Sequence, residues 1–455
     1  MNRVIVLLLS FLSTTATLAQ SDVLDAYIQT ALESNLALQQ KEYSYQKSLE
    51  ALNEAKRMFL PTLSLNASYT AAEGGRTVEL PFGDMVNPIY NNLNQINQTL
   101  DPSAPTYPQI ENPQLNFVRS TEQETNLVAS MPLFNAAIIQ NHKIIRGFSE
   151  VESINIDIYK RELVKEVKQG YVKYLQAERM YLLYANTLTT VNQNLKNRES
   201  LFANDKITID EVYAAKAQVK QVERDLADAN RNRFKTVSWF NFLLNKNFDS
   251  EIVTDPLATI AISVDNLQDL QSASLSNREE LRQFDKYLEI NTNTINLEKG
   301  AALPTVSLFG QYGYQGTDYS FHSQSDLGVI GASMKWNLFT SGQRKSKINQ
   351  AKIDYNITES RKLEVERQIQ LEVIDSYYSI QTAQQGIELA NEELQNFKQS
   401  YRLVEKKYQQ GMVNYLEYSN ALNNMLNAEN KLILSQYSFQ LEQIKLERLT
   451  SSYQF

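Results

Sequence analysis

The sequence predicts a mainly α-helical protein with a small membrane β-barrel, built from two repeats of helix, strand, strand, long helix and helix. Only 14 glycines and 10 prolines occur in 455 residues, and the prolines cluster between Ala71 and Ser120. Such an uneven distribution of helix-breaking residues predicts long, uninterrupted helices in the rest of the chain. Sequence segments recur in the same order in two halves, which indicates a structural repeat. Four segments alternate apolar and polar residues, which is the period of a β-strand.

The N-terminus has the pattern of a secretory signal. Arg3 is followed by an apolar run from Val4 to Leu12 and then by small residues that end at Ala19. This order predicts a signal peptide over 1–19, cleaved before Gln20. No later stretch reaches the roughly 20 apolar residues that a membrane-spanning helix needs, so we expect any membrane contact to come from strands.

Three segments of the first half recur in the second half. The recurring pairs are Phe59–Leu65 with Ala302–Leu308, Pro132–Phe134 with Asn337–Phe339, and Phe202–Glu211 with Tyr408–Glu417. This doubling predicts a first repeat over 20–247 and a second repeat over 277–455. The residues between them, 248–276, include Asp255-Pro256 and many small polar side chains. We expect this segment to be an equatorial connector packed outside a helical tunnel.

Apolar and small residues step by four and three through both repeats, which is the pattern of a coiled-coil seam. The second-repeat seam comprises Ile369, Val373, Ser376, Ile380, Ala383, Ile387, Ala390, Leu394, Phe397, Tyr401, Val404 and Tyr408. The first repeat has the same seam with a polar interruption at Arg198. The seams predict long helices over about 136–203 and 343–410, each roughly 100 Å long. A filamentous coiled coil would explain the seams equally well, but it would leave the strands unexplained.

Shorter helices are expected on both sides of each long helix. One follows each long helix after a tight turn, at Ile207–Leu244 and Val413–Leu449. Another begins each repeat, at about Ser21–Arg57 and Asn277–Lys299. Two short helices stacked end to end would match one long helix in length. Each chain would therefore contribute four helical staves to a long coiled-coil tunnel.

Four strands are predicted at about 60–70, 123–134, 303–314 and 327–339. Each has the length that a tilted strand needs to cross a bilayer. Soluble hairpins that cap a coiled coil are the alternative interpretation. Four strands leave two open edges, which lipid does not tolerate, so a spanning barrel would need strands from other subunits. Two subunits would supply eight strands and three would supply twelve, and the pattern alone leaves both possible.

The segment from Ala71 to Ser120 is predicted to be an extracellular loop. It contains many asparagines and glutamines in addition to its prolines. This composition opposes regular structure, so we expect that the segment can be shortened without loss of assembly.

The composition offers little chemistry. The chain has no cysteine and two histidines, which removes disulfides, thiol catalysis and cysteine metal sites. His142 and His322 lie beside or within predicted loops, and no carboxylate or nucleophile stands at a catalytic spacing from them. The net charge of -8 argues against a nucleic-acid partner. We therefore expect no enzyme activity, no metal and no cofactor.

The layout resembles the TolC-like outer-membrane efflux family over essentially all of the mature chain. The motifs that carry the resemblance are the Leu-Pro-Thr strand starts at Leu60 and Leu303, the Pro-Leu-Phe and Asn-Leu-Phe strand exits, and the turn Tyr408-x-x-Gly411 followed by Glu417. The resemblance implies a homotrimer with a twelve-stranded barrel in outer-membrane lipid and a periplasmic helical tunnel. It also implies docking to a periplasmic adaptor protein and to an inner-membrane transporter of the RND or ABC type.

The resemblance further implies a gate at the turns that join long and short helices. In such channels acidic side chains line the entrance and an aromatic residue holds the neighbouring helix. Matching the motifs residue by residue gives Tyr408, Gly411 and Glu417 at the second turn, and Phe202 and Glu211 at the first.

Three positions depart from the family pattern. Asp205 stands where the family favours glycine, although aspartate can adopt a left-handed turn. Val413 stands where some members have an arginine that locks the gate, and Asn420 replaces a second acidic residue. We therefore expect a gate with fewer ionic contacts.

Glu211 and Glu417 are expected to face the lumen, where a trimer would carry two sets of three carboxylates. The alternative is that both lie on an outer, solvated helix face.

A periplasmic coiled-coil scaffold or adaptor without a pore is the second function that the sequence leaves open.

Overall fold

The computed structural model describes residues 22–254, 266–319 and 325–453. The predicted signal peptide over 1–19, Asp255-Pro256 and His322 lie outside these residues. The helices are α1 (Asp22–Ser34), α2 (Leu36–Arg57), α3 (Phe82–Leu100), α4 (Ala136–Ala203), α5 (Ile209–Leu243), α6 (Leu267–Asn277), α7 (Glu279–Gly300), α8 (Gln343–Gln409) and α9 (Tyr415–Thr450). The strands are β1 (Thr62–Ala71), β2 (Thr77–Glu79), β3 (Gln114–Asn116), β4 (Thr121–Phe134), β5 (Thr305–Gly316) and β6 (Asp326–Lys335).

The chain forms two compact units, each assembled from separate segments. The helical unit draws its described residues from Met1–Leu52, Lys143–Asn293 and Gln350–Phe455. The sheet unit comprises Asn53–His142 and Thr294–Asn349. Among the described residues, no helix is both long enough and apolar enough to cross a membrane.

The sheet unit contains one antiparallel sheet in the order β1-β4-β5-β6. One row of partners runs across all four strands through Leu65, Leu127, Tyr312 and Gly328. The side chains of β1 are exposed along the whole strand. Neither β1 nor β6 pairs with a further strand within the described residues, so both edges of this sheet carry unpaired backbone groups.

The last strand is shorter than the pattern predicts. The alternation suggested a strand to about residue 339, whereas β6 ends at Lys335, which pairs with Thr305. Pro304 has no N–H group and cannot continue the ladder on the partner strand. The next residues make other contacts instead: the Trp336 indole donates to the Ala302 carbonyl at 2.9 Å, and Arg344 donates to the Asn337 carbonyl at 2.7 Å.

The expectation that 71–120 lacks regular structure is wrong. This segment contains the 19-residue helix α3 and the short antiparallel pair β2-β3. Asparagine side chains can compete with the backbone for hydrogen bonds and so disfavour helix interiors. Here the Asn87 and Asn94 side chains bond instead to the backbone of residues 107–110, so they stabilise a helix that is folded against its own return segment.

The first predicted short helix is two helices, because Asn35 interrupts it. The Asn35 side-chain oxygen accepts hydrogen bonds from the backbone N–H groups of Ala37 and Leu38, at 3.0 and 3.1 Å. This is N-capping, and it starts α2. The Asn35 amide also donates to the Leu243 carbonyl at 3.0 Å, so the break joins α1 to the end of α5. The predicted connector 248–276 likewise contains a regular element, the helix α6.

The helical unit is packed along the predicted seams. Ile369, Val373 and Ile380 are each at most 2% exposed. A Cβ atom at Gly170 would lie 3.2 Å from the Phe240 ring, so a small residue is needed where α4 and α5 pack together. The Lys168 ammonium is buried in this unit and lies 2.8 Å from the Glu447 carboxylate and 4.3 Å from the centre of the Tyr453 ring. The long helices are therefore held to the shorter ones by apolar seams and by a buried, paired charge.

Candidate functional site

The two turns after the long helices have the same backbone hydrogen bonds. At the first turn the Lys206 N–H donates to Leu201 O and the Asp205 N–H donates to Phe202 O, both at 2.9 Å. At the second turn the Met412 N–H donates to Lys407 O at 2.9 Å, and the Gly411 N–H donates to Tyr408 O at 3.0 Å. This double pattern is the Schellman motif. The sequence duplication at these turns thus reproduces one local structure.

The Schellman motif requires a left-handed residue at its C′ position. Gly411 has φ +72° there and Asp205 has φ +54°. The aspartate at the first turn therefore adopts the conformation for which the family favours glycine. A non-glycine residue pays roughly 1–2 kcal/mol for this conformation, so the first turn carries a backbone penalty that the second turn avoids.

Arg198 joins the two turns. Its guanidinium lies 3.2 Å from the Glu211 carboxylate of α5, and its central carbon lies 4.1 Å from the centre of the Tyr408 ring of α8. The Arg198 side chain is 11% exposed and that of Glu211 is 25% exposed. A partly buried ion pair and a cation–π contact therefore connect three helices through one residue.

Tyrosines surround this contact on the side of the second turn. The Tyr408 ring stacks on the Tyr418 ring at 4.7 Å, and the Tyr401 and Tyr418 hydroxyls are 3.2 Å apart. Burial raises the pKa of Tyr415 to about 12, and it also raises the pKa of Tyr408 and of Tyr401. The tyrosines therefore stay uncharged at neutral pH. Their contribution to stability is complete below the unfolded-state pKa of about 10 and is lost as pH rises through the folded-state pKa.

The two predicted gate glutamates have different surroundings. Glu211 is paired with Arg198, as described above. Glu417 is exposed, and it has no ion pair within the part of the chain that the structure describes. Its backbone N–H donates to the side chain of Asn414, which caps α9, at 2.9 Å. The repeat position that matches Arg198 is the apolar Val404, so the second repeat supplies no matching cation for Glu417.

The predicted aromatic residues also differ. Tyr408 is 7% exposed and lies in an apolar cluster with Val191, Val219 and Leu422. Phe202, at the matching place in the first repeat, is 40% exposed. The structure therefore brings Tyr408 and Glu211 together through Arg198, and it leaves Phe202 and Glu417 outside this cluster.

In the sequence pattern, Arg198 is only an interruption of the seam. The signal that could have identified it is a cation in a buried stripe, since a buried arginine needs a carboxylate or an aromatic face. Its partners are distant or in another repeat, so the seam pattern alone did not name them.

The described part of the chain thus combines paired long and short helices, two matching turns and a four-stranded sheet with two open edges.

Residues 270–452 match the family model described as outer membrane efflux protein. The outer membrane protein TolC of Salmonella enteritidis is 20% identical over 454 residues, which cover 96% of this chain and 83% of that protein. The solvent efflux pump outer membrane protein SrpC of Pseudomonas putida is 24% identical over 63% of this chain and 60% of that protein.

The fold is also that of a solved channel. The Campylobacter jejuni CmeC outer membrane channel superposes with a TM-score of 0.74 at 15% identity, covering 94% of this chain and 85% of that chain. The matches identify residues 270–452 as an outer membrane efflux protein domain, and they indicate a location in the outer membrane with a large periplasmic helical part.

The left-handed glycine gives the first prediction. Replacing Gly411 by alanine should lower the free energy of unfolding by about 1 kcal/mol, because alanine is strained at positive φ. No side chain or backbone atom lies within 4 Å of the added Cβ position, so the effect is one of conformation. Gly386 in α8 is the matched control, since its added Cβ also meets open space, and Gly386→Ala should stabilise the helix by about 1 kcal/mol. Denaturant unfolding of the full chain, followed by circular dichroism, measures both, and equal signs for the two variants would contradict this account.

The Arg198 contact gives the second prediction. Arg198→Met removes the cation and leaves Glu211 partly buried without its partner, so stability should fall by about 2–4 kcal/mol. Lys216→Met is the matched control, because Lys216 makes an exposed pair with Glu199 at 3.4 Å. That change should cost less than about 1 kcal/mol.

A double-mutant cycle separates the ion pair from the packing of Arg198. Adding Glu211→Gln to Arg198→Met should cost little more, because the carboxylate no longer has a partner to lose. Fully additive losses in the cycle would show that the two residues do not interact.

Proposed function

We propose that the protein is a trimeric outer-membrane exit duct for efflux or export, and not an enzyme. Three chains would supply twelve strands for one closed barrel and twelve helical staves for one tunnel. The observation that carries this proposal is the pair of unpaired sheet edges on β1 and β6. Backbone groups cannot stay unpaired in lipid, so strands from other copies must complete the sheet.

The duct would work with a periplasmic adaptor and an inner-membrane transporter of the RND or ABC type. The protein itself would form the wall of the duct and its opening. Neither of these needs an energy source of its own. Relatives are named as a solvent efflux pump outer membrane protein and as TolC, which supports a role as the outer-membrane part of a pump. The chemistry of the cargo would be set by the inner-membrane partner.

The entrance would lie at the two helical turns. Opening requires the paired helices of the two repeats to separate there, and Arg198 connects them through Glu211 and Tyr408. We assign Tyr408 and Arg198 to holding the closed arrangement. Gly411 would form the second turn, and Glu417 would give the opening its charge. Phe202 is exposed in the single chain, so we assign its contact to a neighbouring subunit or an adaptor.

The oligomeric state is the first test of this function. Native mass spectrometry of protein extracted from outer membranes in detergent should give a mass of three chains, the number that the resemblance to TolC-like channels implies, since the open edges require strands from at least one further chain. A monomer that inserts stably into lipid would contradict the proposal. Protein recovered from the soluble periplasmic fraction would instead favour a coiled-coil scaffold without a pore.

Ion selectivity is the second test. Three exposed Glu417 carboxylates around a narrow opening would attract cations, so the pore should be cation-selective and blocked by multivalent cations. Glu417→Gln should lower the cation preference and weaken the block in planar bilayers. Glu211→Gln should change selectivity less, because Arg198 already balances the Glu211 charge.

Glu392→Gln is the matched control, since Glu392 is an exposed glutamate of α8 away from the turns. It should leave selectivity and trimer yield unchanged. Unchanged selectivity in Glu417→Gln, with a change in an Asp210→Asn variant, would move the acidic ring to Asp210.

A further inference from the structure

The loop helix α3 presents an apolar stripe to solvent. Successive members of the stripe are three, four and four residues apart, and this spacing begins again after eleven residues. The members are Phe82, Met85, Ile89, Leu93, Ile96 and Leu100. All six are among the exposed large hydrophobic residues, from 40% exposed at Leu93 to 81% at Leu100. At about 100° per residue the six side chains fall within an arc of about 80°, along roughly 27 Å of helix. This set is called the α3 stripe below.

The opposite face of α3 is tied to the return segment 101–113. Asn87 and Ile110 exchange two hydrogen bonds, at 2.8 and 2.9 Å. Asn94 and Tyr107 exchange two more, at 2.7 and 2.9 Å. The Tyr90 ring also stacks on the Tyr107 ring at 5.1 Å. Each asparagine side chain thus pairs with a backbone N–H and C=O group as a strand neighbour would. The return segment therefore packs along this face of the helix.

The start of α3 is fixed as tightly. A Cβ atom at Gly83 would lie 2.2 Å from the Ile110 carbonyl oxygen, so the two backbones touch. The Asn112 amide donates to the carboxylates of Glu79 and Asp84, at 3.0 and 3.1 Å. Rotation of α3 to bury its stripe would break all of these contacts. The stripe is therefore held facing outward, and it needs a partner from outside this loop.

The width and period of the stripe favour a helical partner. A helix that lies on a core or on lipid has an apolar face of 100° or more, whereas a narrower stripe is typical of a coiled-coil seam. An eleven-residue period is also a coiled-coil repeat, with 3.67 residues per turn. Another α3 helix has the same width and period, so it can match the stripe along its full length.

Charge argues against lipid as the partner. Residues 71–120 contain five carboxylates and two arginines, with no lysine. Helices that bind membrane surfaces carry lysine or arginine on the polar face and gain from anionic lipid. The charged residue of α3, Asp84, lies away from the stripe. Two stripes from different copies can therefore approach without charge repulsion.

We propose that the α3 stripe is an interface between copies of this chain, where it packs against the α3 stripe of a neighbouring subunit. In the trimer of the proposed function, on which this arrangement rests, the loops would join into one helical bundle. The loop then adds to subunit association, and removal of 71–120 should weaken assembly.

Cysteine cross-linking tests this interface directly, because the chain has no cysteine of its own. Ile89→Cys places a thiol in the centre of the stripe. Gln98→Cys is the matched control, since Gln98 is exposed on the opposite face of the same helix. With a short bis-maleimide, full-length protein in outer-membrane vesicles should form covalent dimers at least about fivefold faster for Ile89→Cys, because contact raises the effective thiol concentration. Equal rates for the two variants would overturn the proposal.

Lipid contact and trimer formation are measured separately. A bimane label on Ile89→Cys should be quenched by spin-labelled lipid no more strongly than the same label on Gln98→Cys, and selective quenching at Ile89 would overturn the proposal in favour of a lipid surface. Native mass spectrometry of the same samples reports the trimer. A trimer with slow Ile89→Cys cross-linking defeats the stripe interface alone, whereas fast cross-linking in a dimer supports the interface and defeats the trimer.

Discussion

The backbone at the two edges of the four-stranded sheet sets the main constraint on this molecule. Within the described residues, β1 and β6 each leave one side of their ladder without a partner, and the side chains of β1 are exposed along its length. Unpaired N–H and C=O groups cost several kcal/mol each in hydrocarbon. On the proposed function, one chain therefore cannot complete the membrane part by itself. The proposed trimer, the pore and the gate all depend on that incompleteness.

Duplication supplies the architecture, but it does not make the two turns equivalent. Both turns share the Schellman hydrogen bonds, yet Asp205 stands where the second turn has Gly411. Arg198 has Val404 as its counterpart, so a cation reaches Glu211 and Tyr408 while Glu417 keeps no such partner. The two turns therefore share their backbone hydrogen bonds, but their side chains make different contacts. On the proposed function, the first repeat contributes cohesion at the entrance and the second contributes charge.

Elements with a strong local period could be predicted from sequence, and elements fixed by distant partners could not. The long helix from Ala136 to Ala203 could be predicted because the seam spacing recurs along its whole length. The strands β1 and β5 could be predicted from the simple alternation of apolar and polar residues. Asn35, in contrast, ends one helix and caps the next, and its amide reaches Leu243. Asn87 stabilises α3 through the backbone of Ile110. In both cases the hydrogen bonds of an asparagine side chain are satisfied by a distant segment that local patterns cannot identify.

The energy of the Arg198 contact suits an entrance that a partner opens. A cation–π contact of this kind contributes roughly 0.5–2 kcal/mol, and the ion pair with Glu211 is partly exposed, so its net contribution is also modest. Three copies would together hold the closed state by several kcal/mol. A partner must supply about 5.5 kcal/mol of differential binding to reverse a 1:99 population, which one adaptor interface can provide. On the proposed function, contacts of this size would be strong enough to keep an unoccupied duct shut, and weak enough that docking, without chemistry in the channel itself, could open it.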